Sequence, residues 1–203
     1  MKTIAIGRNY VEHIAELNNE RPEEPVIFTK PDTAIVRNNQ PFYIPDFSVD
    51  IHYEVELVLR IAKTGKNINE RFAPRYYDAI GLGIDFTARD MQKKAKEKGL
   101  PWALAKGFDG SAPISDFFPM EHFHDIKNIS FSLTINGELR QKGNSGMMLF
   151  SFDHIIAYVS KYITLKEGDL IFTGTPKGVG SIKIGDLLAG FIEDEKVLEF
   201  EIR

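Results

Sequence analysis

The sequence predicts an α+β fold rich in antiparallel strands, a single domain over residues 1–203, on three observations. Its apolar runs are short and strand-like, turn residues separate them at close intervals, and few segments repeat apolar residues at helical spacing. The chain is long enough to bury a large core without disulfides, and 43% hydrophobic with 27% charged residues is an ordinary globular composition. No shift in composition marks a linker between two units.

Taken in order, Thr3 to Ile6 reads as the first strand. Asn9 with Glu12 three residues on resembles a capping box, opening a short helix packed along Tyr10, Ile14 and Leu17. The polar, proline-punctuated stretch from Asn18 to Pro25 cannot bury itself and reads as a mobile loop. Val26 to Thr29, Phe42 to Ile44 and His52 to Ala62 read as strands. Arg71 to Asp78 and Thr87 to Lys98 read as helices, the second capped by Thr87, with Asp90 at its third position, and stopped by Gly99 and Pro101. Ile129 to Ile135 runs into Asn136-Gly137, a strong hairpin signal, and Leu139 to Gln141 is the return strand. A helix follows at Asp153 to Lys161. Lys166-Glu167-Gly168-Asp169 and Lys183-Ile184-Gly185-Asp186 then each turn the chain into an apolar strand.

A formal net charge of −4 and the lack of a dense Lys/Arg run exclude a nucleic-acid partner. No run approaches membrane-spanning length, and the apolar core of the N-terminus is too short for a signal peptide, so a cytoplasmic protein is expected. With no cysteines, any metal must be held by oxygen or nitrogen.

Charge placed inside core-like sequence is the most informative feature. Glu54 and Glu56 stand in the apolar run from Tyr53 to Leu59, and Asp85 ends the apolar segment from Ala79 to Ile84. Strand alternation puts Glu54 and Glu56 on one face and Val55, Leu57 and Leu59 on the other. The plain alternative is an edge strand whose polar face meets water. Asp85 tips the balance, because adjacent buried carboxylates need a cation between them, and three oxygen ligands suit Mg²⁺ or Mn²⁺.

Other groups are less decisive. His13 and Glu16, three apart, can interact on one helix face. Arg89 and Gln92 share a face near Asp85 and could grip a carboxylate, while a local ion pair is the alternative. Lys106 follows the apolar Trp102-Ala103-Leu104-Ala105, where a structural salt bridge to Asp109 is equally open. Thr173-Gly174-Thr175-Pro176-Lys177-Gly178-Val179-Gly180 lacks the spacing of a nucleotide-phosphate loop, leaving an anion cradle or a tight turn. Gly81-Leu82-Gly83 does not complete a dinucleotide fingerprint, since Phe86 replaces the third glycine. His122 and His124 sit in a polar connection without a third ligand and are assigned no site.

Together these motifs resemble the catalytic domain of the fumarylacetoacetate hydrolase family. The match runs through Gly7-Arg8-Asn9-Tyr10, His13-x-x-Glu16, Phe28-x-Lys30-Pro31, Glu54-x-Glu56-Leu57, Asp85-x-Thr87-Ala88-Arg89-Asp90-x-Gln92, Trp102-x-x-x-Lys106-x-Phe108-Asp109 and the Thr173 to Gly180 loop. The resemblance implies a β-rich α+β fold, a mixed β-sandwich roll, commonly homodimeric. It implies Mg²⁺ or Mn²⁺ on Glu54, Glu56 and Asp85, a His13–Glu16 dyad that activates water, and a catalytic Lys106. It further implies that Arg89, Gln92 and Thr175 surround the substrate, with Arg8, Tyr10 and Lys30 lining the same pocket.

The implied chemistry is cleavage of a carbon–carbon bond in a small 2,4-dioxo acid, releasing pyruvate and a carboxylate. The His-x-x-Glu dyad is similar to that of acylpyruvate hydrolases and oxaloacetate decarboxylases, so decarboxylation of oxaloacetate is the first alternative. An isomerase or decarboxylase of longer dienoate diacids is the second, and a 2-oxo acid binding module with a structural metal is the rival outside enzymology. The additional N-terminal domain of true fumarylacetoacetate hydrolases has no counterpart here, so tyrosine breakdown is not expected. Ile84 and Pro113-Ile114-Ser115 depart from the family pattern without touching the metal motif.

Overall fold

Alternation along one central strand organises the molecule: Val55, Leu57 and Leu59 join the main apolar core, while Glu56 and Val58 face the other way. A computed structural model describes residues 1–16 and 20–203, so Leu17, Asn18 and Asn19 lie outside the described residues. The elements run β1 (Thr3–Gly7), α1 (Val11–Glu16), β2 (Val26–Lys30), β3 (Ile35–Val36), β4 (Ile51–Tyr53) and β5 (Val55–Ile61). Next come β6 (Tyr77–Ile84), β7 (Thr87–Ala88), α2 (Arg89–Glu97), α3 (Ala103–Lys106), β8 (Ala112–Pro113) and β9 (Phe118–Pro119). The chain finishes with β10 (Ser130–Ile135), β11 (Glu138–Asn144), α4 (Phe152–Tyr162), β12 (Leu170–Phe172), β13 (Gly180–Ser181), β14 (Leu187–Ile192) and β15 (Glu195–Glu201).

A six-stranded mixed sheet, β2-β1-β12-β5-β6-β9, packs against a four-stranded antiparallel sheet, β11-β10-β14-β15. Between them Leu57, Leu59, Ile80 and Leu82 meet Phe131, Leu133, Leu198 and Phe200 in one core, the sandwich that the resemblance implies. On the opposite face of the larger sheet a smaller cluster forms around Val58, Ile114, Leu170 and Phe172. Glu56 shares that second face. None of the helices among the described residues is long and apolar enough to cross a membrane.

The hairpin reading holds. Asn136 and Gly137 both take positive φ (53° and 82°), the left-handed pair that suits a two-residue turn with right-handed strand twist. The two Lys-x-Gly-Asp turns also hold, and by one mechanism: Asp169 and Asp186 each accept the backbone N–H of the lysine three residues earlier, with Gly168 and Gly185 at positive φ.

Four element readings and two capping readings are corrected. Arg71 to Asp78 is a 3₁₀ turn over Glu70–Arg75 followed by β6, because Pro74 interrupts helical bonding and the next apolar residues pair with β5. The helix expected from Thr87 starts at Arg89, and Thr87 belongs to β7, pairing with His52. Asp90 bonds Ser48 and the amides of Val49 and Met91, so no capping box forms. Asn9 does not cap α1 either; it bridges to the chain around Phe150 and Thr173. Phe42 to Ile44 makes a single bridge to Ile202 rather than a strand, and the strand read from His52 to Ala62 breaks at Glu54.

Gly83 shows what the sheet requires of β6. A Cβ there would lie 2.6 Å from the Phe172 ring and 2.9 Å from Val58 Cγ2. Gly83→Ala is expected to destabilise the fold by about 1–3 kcal/mol through overpacking, read as a lowered urea midpoint at unchanged slope.

Candidate active site

Strand register assembles the acids. Antiparallel pairing sets Val55 opposite Ile84 and Glu56 opposite Gly83, and the Asp85 amide donates to the Glu54 carbonyl at 2.8 Å. Glu54 and Asp85, at the facing ends of β5 and β6, therefore stand side by side with Glu56 next to them. One carboxylate oxygen from each lies within 4.8 Å of the others, and the residues are only 5%, 2% and 0% exposed. Because β5 lies between β12 and β6, the water-facing edge strand is overturned.

Two of the three acids are matched by cations. Lys106 Nζ stands 2.7 Å from Glu54 Oε2 and 2.6 Å from Asp85 Oδ2. Arg89 and Thr87 donate to Glu54 Oε1 at 2.6 and 3.1 Å. Burial alone would raise the Glu54 carboxyl, but Lys106 and then Arg89 overcome it and hold it well below the usual range. Lys106 likewise stays charged against burial, its ammonium raised by Asp85 and Glu54. The Asp109 salt bridge left open for Lys106 does not form: Asp109 accepts from Thr33.

Glu56 differs. It accepts the Gly174 N–H at 2.7 Å and pairs with no side-chain cation, so burial, then Asp85 and Glu54, push its carboxyl far up. Asp85 Oδ1 is paired with Lys30 Nζ at 2.7 Å, an ammonium that also donates to the carbonyls of Lys106 and Ser111 and to Ser111 Oγ. A buried carboxyl that lacks a counter-ion, with an oxygen of each of two further carboxylates within 4.8 Å, fits a hard divalent cation on Glu54, Glu56 and Asp85. The free space in this cleft is about 30 Å³.

The glycine loop is more than an idle turn. Its amides hold the protein's own carboxylates: Gly174 N–H on Glu56, and Gly178 N–H on Glu16 Oε1 at 3.0 Å. Gly174 takes φ +104°, and a Cβ there would meet Asn9 Cβ at 2.6 Å. Thr175 is anchored, donating to the Val55 carbonyl and accepting from Gln141 Nε2, both at 2.9 Å. Gln141 Oε1 accepts the Val55 amide, so this buried glutamine ties the loop to the strand of the acids.

His13 faces the cluster from α1. Its Nδ1 lies 3.2 Å from Glu16 Oε2. Burial lowers its pKa most, against the upward pull of Glu54 and Glu16, so the ring is neutral at pH 7.

Of the residues read from sequence, Arg8, His13, Glu54, Glu56, Asp85, Arg89, Gln92, Lys106 and Thr175 line one cleft. Tyr10 and Lys30 lie in its wall instead: Tyr10 packs edge-on against Phe131, and Lys30 is buried beneath Asp85. Glu16 stands behind His13. Sequence reasoning missed Asn9, Gln141, Lys96 and the apolar lining from Phe28 and Trp102. The available signal was the amide side chains, Asn9 beside Arg8 and Gln141 in a strand otherwise read for its turn.

Glu56→Gln should keep its melting temperature in EDTA, since it replaces a buried acid without a counter-ion by an isosteric amide, yet lose at least ~100-fold in Mn²⁺ affinity by calorimetry. Unchanged affinity refutes the ligand set. In the wild type, Mn²⁺ affinity should rise with pH as Glu56 gives up its proton. His13 carries a second pH effect. Its folded pKa is depressed, so the unfolded chain binds more protons; the stability it confers is complete above about pH 6.5 and declines as pH falls toward the folded value. Urea midpoints of His13→Asn between pH 5 and 7 should therefore vary less than those of the wild type.

The model of the fumarylacetoacetate (FAA) hydrolase C-terminal family matches residues 2–203. The mitochondrial oxaloacetate tautomerase of Mus musculus is 44% identical over 200 residues, covering 98% of this chain and 90% of its own. A mitochondrial oxaloacetate decarboxylase of Dictyostelium discoideum is 42% identical over 203 residues, covering 99% and 93%. Among solved structures, fumarylpyruvate hydrolase from Pseudomonas aeruginosa, in complex with Mn²⁺ and pyruvate, superposes with a TM-score of 0.94 at 33% identity, over 100% of this chain and 89% of its own. The buried Glu54–Glu56–Asp85 cluster, the sandwich that carries it and these matches agree: the chain belongs to the fumarylacetoacetate hydrolase family.

Proposed function

We propose that this protein is a divalent-metal-dependent enzyme of small 2-oxo acids whose reaction is keto–enol tautomerisation of oxaloacetate. The observation that carries the proposal is a neutral, oriented base beside a buried tri-carboxylate cluster. The 44% identity to an oxaloacetate tautomerase supports tautomerisation as first reading, ahead of the hydrolysis that the dyad alone suggests.

Mg²⁺ or Mn²⁺ on Glu54, Glu56 and Asp85 would supply positive charge that favours the enolate form of a 2-oxo acid. The chain's own groups move the proton. Glu16, fixed by Gly178 N–H, holds His13 through Nδ1 and leaves Nε2 to take a proton from C3 of the keto form. The Lys106 ammonium, kept charged by Asp85 and Glu54, donates to the oxygen on C2. Exchange with solvent restores both groups. Phe28 and Trp102 form an apolar side to the cleft that limits water.

Hydrolysis of acylpyruvates is the second reading, favoured by the same dyad, since a neutral His13 can also activate water against a distal carbonyl. The two separate in one assay with Mg²⁺ or Mn²⁺, following the enol absorbance of oxaloacetate and pyruvate release from acetylpyruvate. Tautomerisation should exceed cleavage in the wild type and fall about 100-fold or more in Glu56→Ala and His13→Ala. Faster acetylpyruvate cleavage moves the assignment to a hydrolase. Pyruvate release from oxaloacetate that survives His13→Ala moves it to a decarboxylase, which needs the enolate stabilised but no base.

A further inference from the structure

Two cations of the cleft stand outside its ion pairs. Lys106 and Arg89 serve Glu54, Lys106 and Lys30 serve Asp85, and Glu16 is held by His13 and Gly178. Among the described residues Arg8 and Lys96 make no ion pair, yet both line this cleft.

Arg8 is held there deliberately. It sits at φ +61°, a left-handed conformation that costs a side-chain-bearing residue about 1–2 kcal/mol. Asn9 enforces the turn, donating to the carbonyls of Thr173 (2.8 Å) and Phe150 (3.0 Å) and accepting the Phe150 amide (2.8 Å). The result aims a guanidinium into the cleft with its Nε buried and without an acceptor, and Arg89 Nε is buried and unpartnered as well. Lys96, projecting from α2, lies with its ammonium 5.5 Å over the Trp102 ring. Burial first, then the nearby Arg8 and Arg89, lower its pKa, which places the three cations within electrostatic reach of one another. Two cations without an ion pair, beside two buried Nε donors without an acceptor, suit an anion from outside.

We infer that Arg8 and Lys96, with the free Nε of Arg89, form a second carboxylate subsite that takes the distal carboxylate of a 2-oxo diacid and selects diacids over monoacids. The inference rests on the 2-oxo acid reading above, which puts the 2-oxo end at the tri-carboxylate cluster and leaves the distal end for Arg8 and Lys96.

Trp102 is the sole tryptophan and lines the cleft, so its fluorescence reads ligand binding directly. The Mg²⁺-loaded protein is titrated with pyruvate, a 2-oxo monoacid, and with N-oxalylglycine, a 2-oxo diacid analogue that cannot lose its distal carboxylate by β-keto decarboxylation. The wild type should prefer the diacid, and the ratio of the two affinities should fall at least ~10-fold in Arg8→Asn and in Lys96→Met, with Arg8→Lys recovering much of it. Asparagine tolerates the left-handed backbone, so Arg8→Asn removes the charge and keeps the turn. A fold defect would weaken both ligands alike and leave the ratio unchanged. An unchanged ratio in both variants, or a wild type without preference, overturns the subsite. Absence of oxaloacetate turnover would refute the proposed reaction while leaving this titration readable.

Discussion

Three carboxylates buried within 4.8 Å of one another are the constraint on which the rest of the structure depends. Each desolvated charge costs several kcal/mol, and their repulsion adds to it, so the fold must supply compensation on every side. Lys106, Lys30 and Arg89 are that compensation, delivered from α3, β2 and α2. Glu56 is left with one backbone N–H, and its raised pKa is the signature of a counter-charge the protein itself does not provide. Stability and function meet here, because an arrangement that is poor as a core is well suited to a divalent ion.

The glycine loop shows how the scaffold keeps this arrangement in register. Its amides fix Glu56 and Glu16, one within the carboxylate cluster and the other behind His13. A single segment thus bonds both the carboxylate cluster and the partner of His13. Gln141 and Asn9 tie that segment to β5 and to the turn after β1, burying polar groups that are largely satisfied within the network. Such a network is worth more for placement than for net stability.

Tautomerisation, hydrolysis and decarboxylation of 2-oxo acids all pass through stabilised enolate character, which explains how one site architecture serves relatives bearing these different names. In this chain His13 is neutral at pH 7 and held by Glu16, and Arg8 and Lys96 line the same cleft without an ion pair among the described residues.

The sequence by itself determined the acids, the dyad, the Asn136-Gly137 hairpin and the two Lys-x-Gly-Asp turns. All follow from local rules: two-residue alternation, three-residue spacing on a helix, and the backbone freedom of Asn and Gly. It did not determine where α2 begins, what Asn9 and Thr87 bond, or that Glu54 ends one strand pair instead of continuing it. In each case a polar side chain that fits a local cap is claimed by a distant partner: Thr87 by Glu54, Asn9 by Thr173, Asp90 by Ser48. Only the tertiary structure decided which cations neutralise which acids, because Lys30, Arg89 and Lys106 reach Glu54 and Asp85 across 21 to 55 residues of chain. Spacing along a sequence carries no information about such contacts; the pairing register of β5 and β6 and the packing of α2 and α3 against them do.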